Sequence, residues 1–282
     1  MTTARTFRFR RGEWVLGESP HLLGIINVTP DSFSDGSPAW QSPAYHLARA
    51  QQLLIDGADA LDLGAESTRP GHTPISVGEE WMRLGPVLRI IRAEFPDVPI
   101  SVDTSKSEVA EWALDAGADI INDIWGLSRD SRLAQVAVEA GAGYIGMFNQ
   151  GVSPNEPLRL EDIRGFFQRM MQTAKEAGLS PEAVLVDPGI GFRVQGDSIW
   201  QVLTHLRHFQ GLGAGILVGH SRKRFLGAIT GLEKARDRDG ATGVMSGLLA
   251  LHGADVLRVH DVATTRHAIL IARQWSEAFG TN

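Results

Sequence analysis

Asn27, Asp103, Asn122 and Asp187 each stand at the end of a short apolar run in this 282-residue chain. Of these, Asp103, Asn122 and Asp187 offer carboxylate and amide acceptors plus one amide donor. That set suits a flat heterocycle with N–H and amino groups beside a carbonyl, such as a 2-amino-4-oxo pyrimidine. Lys223, Arg69, Arg258 and His260 follow other apolar runs and bring positive charge, which suits a phosphate or diphosphate. Asn27 adds a neutral oxygen of the kind that binds Mg²⁺ while the ion keeps most of its waters. Together they describe a pocket that joins a heterocycle to a diphosphate leaving group. Lys223 carries extra weight: of 27 basic residues only Lys106, Lys175, Lys223 and Lys234 are lysines, so arginine is the default positive charge here.

Residues so far apart need a scaffold that gathers them. Four phrases recur: Asp56-Gly-Ala-Asp59, Ala116-Gly-Ala-Asp119, Ala140-Gly-Ala-Gly143 and His252-Gly-Ala-Asp255. Each follows an amphipathic stretch and precedes an apolar run, so each reads as a helix stopped by a left-handed glycine before a strand. The apolar runs are continuous, as expected of parallel strands buried on both faces. Eight are found: 22–28, 60–65, 99–103, 119–124, 143–148, 183–187, 215–219 and 255–259. Helix-length segments lie between them at 43–56, 77–94, 107–116, 129–140, 161–177, 198–209 and 241–252, with a last at 263–279. Eight alternating units predict an α/β fold, a (β/α)₈ TIM barrel. Neither glycine-rich phosphate loop of a doubly wound sheet is present. Residues 1–20, turning at Arg11-Gly12, read as an N-terminal β-hairpin closing the barrel bottom, and residues 21–282 as the barrel, a single domain. In a barrel the strand ends share one face, so the polar residues converge. Ser107, Asp31 and Asp123 are equally well explained as caps or turn residues.

Composition narrows the class. Net charge is −6 with 43% hydrophobic residues, and no basic block or long apolar run occurs, so neither nucleic acid nor membrane is an expected partner. The N-terminal segment lacks the apolar stretch of a signal peptide, which together with the lack of cysteine predicts a cytoplasmic protein. Thiolate nucleophiles and cysteine zinc sites are excluded, and no G-x-S-x-G or H-E-x-x-H motif occurs.

Seven motifs carry a resemblance. They are GIINVTPDSFSDG at 24–36, LGAESTRPG at 63–71, SVDTSK at 101–106, INDI at 121–124, DPGIGF at 187–192, GHSRK at 219–223 and RVHD at 258–261. Over nearly its whole length the chain resembles the dihydropteroate synthases, homodimeric barrels that join 6-hydroxymethyl-7,8-dihydropterin diphosphate to p-aminobenzoate and release diphosphate. The resemblance implies that Asp103, Asn122, Asp187 and Lys223 hold the pterin. Ile124, Met147 and Gly219 would line its pocket and Arg258 would stack on the ring. It puts Mg²⁺ on Asn27 beside Arg258 and His260, and p-aminobenzoate among Thr68, Arg69, Pro70, Phe192 and Ser221. Phe33 and Asp35 would help build that second pocket, and sulfonamides would be expected to compete there. In catalysis it would engage Asn27, Asp35, Arg69, Lys223, Arg258 and His260.

The chain departs from the family after the fifth apolar run, with Phe148-Asn149 where His-Met is common and without the usual tail in 151–157. It departs again after DPGIGF, with Arg193-Val194 where Gly or Ala and then Lys is usual. Two rival readings share the pterin contacts: a paralogue that binds pterin or a partner protein without turnover, and a corrinoid-linked methyltransferase barrel. The Ser-Thr-Arg-Pro-Gly and Ser-Arg-Lys motifs have no use in the second.

Overall fold

The computed structural model describes residues 5–29, 42–67, 73–150 and 158–280. A two-stranded antiparallel hairpin, β1 (Arg5–Phe9) and β2 (Gly12–Leu16), precedes eight parallel strands. These are β3 (His21–Asn27), β4 (Ala60–Gly64), β5 (Ile100–Asp103), β6 (Ile120–Asp123), β7 (Gly143–Met147), β8 (Val184–Asp187), β9 (Gly215–Val218) and β10 (Val256–Val259). They close as a barrel in chain order, β10 pairing back onto β3, so the expected fold is the one observed.

The helices are α1 (Pro43–Ile55), α2 (Val77–Glu94), α3 (Ser107–Asp115), α4 (Arg132–Ala140), α5 (Leu160–Glu176), α6 (Ser198–Thr204), α7 (Arg224–Thr230), α8 (Asp239–Leu251) and α9 (Val262–Phe279). Three differ from the sequence reading. The segment 129–131 is a turn, because the Asp130 carboxylate accepts the N–H groups of Ser107 and Arg132 and so caps α3 from outside. α6 stops at Thr204, where the Thr204 hydroxyl and His205 ring bond the carbonyls of Trp200 and Gln201. α7, between Lys223 and Gly231, was not anticipated; it is only seven residues long and lacks a side-chain cap.

Gly57 and Gly117 of the recurring phrases sit at φ 99° and 109°, the left-handed turn that ends a helix. The aspartates of these phrases have a second use. At the barrel bottom Asp59 accepts Leu22 N–H, Asp119 accepts Ile100 N–H and Asp255 accepts Ile216 N–H, each satisfying a backbone donor of a strand. The hairpin docks on the same aspartates: Arg5 pairs with Asp255 at 2.7 Å and Arg11 with Asp119 at 2.7 Å. Its Phe7, Phe9, Trp14 and Leu16 form one buried cluster with Leu23, Ile145 and Leu217 at the barrel floor. Burial of each such side chain is worth about 1.5–3 kcal/mol. The other end of the barrel is thereby left to carry the site. No helix among the described residues is long and apolar enough to cross a membrane.

Candidate active site

The parallel register brings the polar strand ends level. Asp103 lies beside Gly64 and Asn122, and Met147 beside Asp187. Gly64 leaves room for this, since a Cβ there would stand 3.3 Å from that of Asp103. Arg258, from β10, reaches across the barrel. Its Nη2 donates to Asp103 at 2.8 Å and its Nε donates to Asp62 of β4 at 2.6 Å. Burial works against this guanidinium, but Asp62 and Asp103 outweigh it and hold the charge firmly.

Asp187 occupies the far side. One oxygen accepts Gly189 N–H at 2.8 Å, and Lys223 is the cation nearest in influence. The Lys223 stem runs over Gly191, where a Cβ would come within 2.8 Å of it, and Nζ sits 4.0 Å above the Phe192 ring. The DPGIGF motif therefore seats the lysine: Asp187 supplies charge, Gly191 clearance and Phe192 a π face. Burial pushes the Asp103 carboxyl up to about 7 against the pull of Arg258, and the Asp187 carboxyl to about 6 against Gly189 N–H and Lys223. Burial also brings Lys223 down to about 8.

A second group forms around His260, just past β10. Its Nδ1 lies 2.9 Å from the Ser221 hydroxyl, its Nε2 3.5 Å from the Asn27 amide nitrogen, and its carbonyl accepts from Arg49. The positive charge expected of His260 is absent: burial, then Arg222, Arg258, Arg49 and Lys223, hold its pKa well below the ordinary value. It is a neutral hydrogen-bonding ring among cations. Among the described residues no cluster of three or more His, Cys, Asp or Glu could hold a metal ion. Asn27 offers one neutral oxygen, which fits only an ion that takes the rest of its shell from water and ligand, as Mg²⁺ does.

Gly219 directly follows β9, and a Cβ there would stand 3.5 Å from the Asp187 carboxylate. Ile124 and Asp103 line a small cavity with Glu66, Thr104, Ser105, Trp125 and Arg129. Phe33, Asp35, Thr68, Arg69 and Pro70 lie outside the described residues, as does the segment 151–157. None of the described departures falls on a residue assigned to the pterin or the metal. Phe148 is buried edge-to-face on Phe166, Val194 is buried and bonded to Gly191, and Arg193 is exposed.

Sequence reasoning missed Asp62, Glu66 and Glu80. Asp62 has a visible signal, a lone carboxylate inside the apolar run Ala60-Leu-Asp-Leu-Gly64, but it stands within the run and not at its end, where the other polar groups gather. Asp123, weighed as a turn residue, is one: it accepts the N–H groups of Trp125 and Leu127 and the Tyr144 hydroxyl. Lys106 lies behind the pocket, paired with Glu66 at 2.6 Å and with the buried Glu80, tying β4, α2 and the end of β5 together.

Residues 23–260 match the family described as pterin binding enzyme. The chain belongs to that family. A dihydropteroate synthase of Bacillus subtilis is 41% identical over 245 residues, 87% of this chain and 85% of that protein. The Xanthomonas albilineans dihydropteroate synthase solved with 4-aminobenzoic acid superposes with a TM-score of 0.89 at 35% identity, covering 97% of this chain and 99% of that one. The Burkholderia cenocepacia dihydropteroate synthase complexed with 7,8-dihydropteroate gives 0.87 at 32% identity, covering 99% of each.

Proposed function

We infer that this enzyme condenses 6-hydroxymethyl-7,8-dihydropterin diphosphate with p-aminobenzoate, giving 7,8-dihydropteroate and diphosphate, the dihydropteroate synthase reaction. The observation that carries the reading is the convergence of Asp103, Asn122, Asp187, Lys223 and Arg258 on one barrel mouth. Asp103, Asn122 and Asp187 accept from the N–H and amino edge of the pterin, Lys223 donates to its carbonyl and Arg258 covers a ring face. Ile124, Met147 and Gly219 line the slot. His260 and Asn27 face the diphosphate beside the Arg258 and Arg222 charges. Thr68, Arg69, Pro70, Phe192 and Ser221, with Phe33 and Asp35, would receive p-aminobenzoate.

In the reaction the arylamine nitrogen bonds to the pterin methylene carbon as the C–O bond breaks. Diphosphate leaves with the electron pair, and the nitrogen loses one proton to water or to the departing oxygen. The chain's work is to align the two reactants, exclude water and offset the growing negative charge. No general base is required, because the amine is already unprotonated. Asn27 would hold Mg²⁺, which when bound neutralises charge on the leaving diphosphate. The test is diphosphate release by the purified protein with Mg²⁺ and the pterin diphosphate. Release that depends on p-aminobenzoate, with dihydropteroate found by mass, supports the synthase; pterin binding without release would favour a binding paralogue.

The pKa pattern predicts a narrow pH optimum. The carboxylates of Asp103 and Asp187 must be ionised to accept, so kcat/KM for the pterin diphosphate falls as pH drops through about 7 and then about 6. Lys223 must be charged, so it falls again above about 8. A flat profile from pH about 5 to about 9.5 would contradict these assignments.

The working form in this reading is a cytoplasmic homodimer. Val244 and Leu248 of α8 are exposed beside Ile271, Trp275 and Phe279 of α9, with Trp275 and Phe279 stacked at 4.4 Å. An apolar stripe on two packed helices is the kind of surface a second copy covers. Ile271→Asp should convert a dimer to a monomer in light scattering behind size exclusion; a wild-type monomer would refute the assignment.

A further inference from the structure

We propose that Asp62 is the positioning residue that makes this pocket select a donor-bearing ring edge, by holding the Asn122 amide so that its carbonyl oxygen faces the ligand. The inference rests on the pterin reading above and concerns what sets its specificity.

Asp62 lies within β4 between Leu61 and Leu63 and has no exposed surface. Its carboxylate receives Arg258 Nε at 2.6 Å and the Asn122 amide nitrogen, which lies 3.3 Å from one oxygen and 3.4 Å from the other. An amide side chain has a donor end and an acceptor end of nearly the same shape, so only its partners decide which end faces a cavity. Here the donor end is drawn to Asp62, and the Asn122 side-chain oxygen takes no hydrogen bond among the described residues.

A purely structural ion pair does not account for this arrangement. Arg258 already has Asp103 as a partner at 2.8 Å, and a second buried carboxylate carries a desolvation cost. What Asp62 adds, and Asp103 does not, is the contact with Asn122. The edge presented to a ligand then consists of the Asp103 carboxylate, the Asn122 oxygen and the Asp187 carboxylate. In that row acceptors predominate, the donors being Lys223 and the second N–H of the Asn122 amide. One N–H of the amide that the sequence offers as a donor is directed to Asp62. A ring with an amino group at the matching position is bound; one with a carbonyl there meets acceptor against acceptor. Discrimination of this kind is large because a mismatched buried polar group is left unpaired.

The experiment compares dissociation constants for 6-hydroxymethylpterin and the corresponding lumazine, in which an oxygen replaces the 2-amino group, in wild type and Asp62→Asn. Wild type should prefer the pterin. Asp62→Asn, whose own amide can turn either way, should lose at least about tenfold of that preference. The KM for p-aminobenzoate should change by no more than about twofold, a split that general loosening of the fold would not produce. An unchanged preference in a folded Asp62→Asn overturns the proposal. Should that variant not fold, Asn122→Ala carries the test: it must lose the same preference, and retention overturns the proposal. If wild type binds neither compound, the pterin reading itself has failed, which is a separate outcome.

Discussion

Lys223→Ala should lower kcat/KM for the pterin diphosphate by about 100-fold or more, from the roughly 3 kcal/mol that losing a charged donor to the ligand and leaving a buried carboxylate uncompensated cost. The lysine is the cation that Asp187 depends on, and burial has already brought its pKa down to about 8. Without it the Asp187 carboxyl, already near 6, rises further and takes up a proton near neutral pH. One substitution thus removes a donor and converts a neighbouring acceptor into a donor. Lys223→Met keeps the stem over Gly191 and Phe192 and should lose nearly as much, which separates the charge from the packing. Lys223→Arg is no rescue, because the stem is closed in by Gly191 and a rigid fork cannot follow its path. Steady-state kinetics and pterin titration check all three; wild-type affinity in Lys223→Ala would refute the pocket.

Arg258→Ala should be the most destabilising single change in the site. It leaves Asp62 and Asp103 buried around a missing cation, a loss of roughly 3–5 kcal/mol and a melting temperature lower by roughly 10 °C. The sign of its pH dependence is set by the carboxyls. Asp103, raised by burial, loses Arg258 and keeps the repulsion of Asp62, Glu80 and Asp123, so its folded-state pKa climbs above about 7. Between the unfolded value and that raised value the native state binds more protons than the unfolded state, and stability falls as pH rises. The variant should therefore melt closer to wild type at pH about 6 than at pH about 8. Scanning calorimetry at both values decides it, and an equal deficit at both would contradict the coupling.

These effects depend on neighbours that sequence order hides. The eight strands, the left-handed glycines and the placing of Asp103, Asn122 and Asp187 at strand ends were legible because apolar period and helix stops are local. Each is set by residues within a turn or a pleat. Asn27, Lys223, Arg258 and His260 were legible as chemistry for the same reason, each standing at or just past the end of an apolar run. α7 was not, since its seven residues carry too short a pattern to stand out from a loop.

From the sequence alone came the barrel and the placing of Asp103, Asn122, Asp187 and Arg258 on its strands. The tertiary structure alone decided their states: that His260 is neutral, that the carboxyls of Asp103 and Asp187 are raised, that the Asn122 donor is directed at Asp62. The physical reason is separation along the chain. Asp62 and Arg258 stand 196 residues apart and Asp103 and Arg258 155 apart, yet each pair meets within 2.8 Å. Burial and near charges fix a group's proton and orientation, and only the closed barrel determines which charges are near.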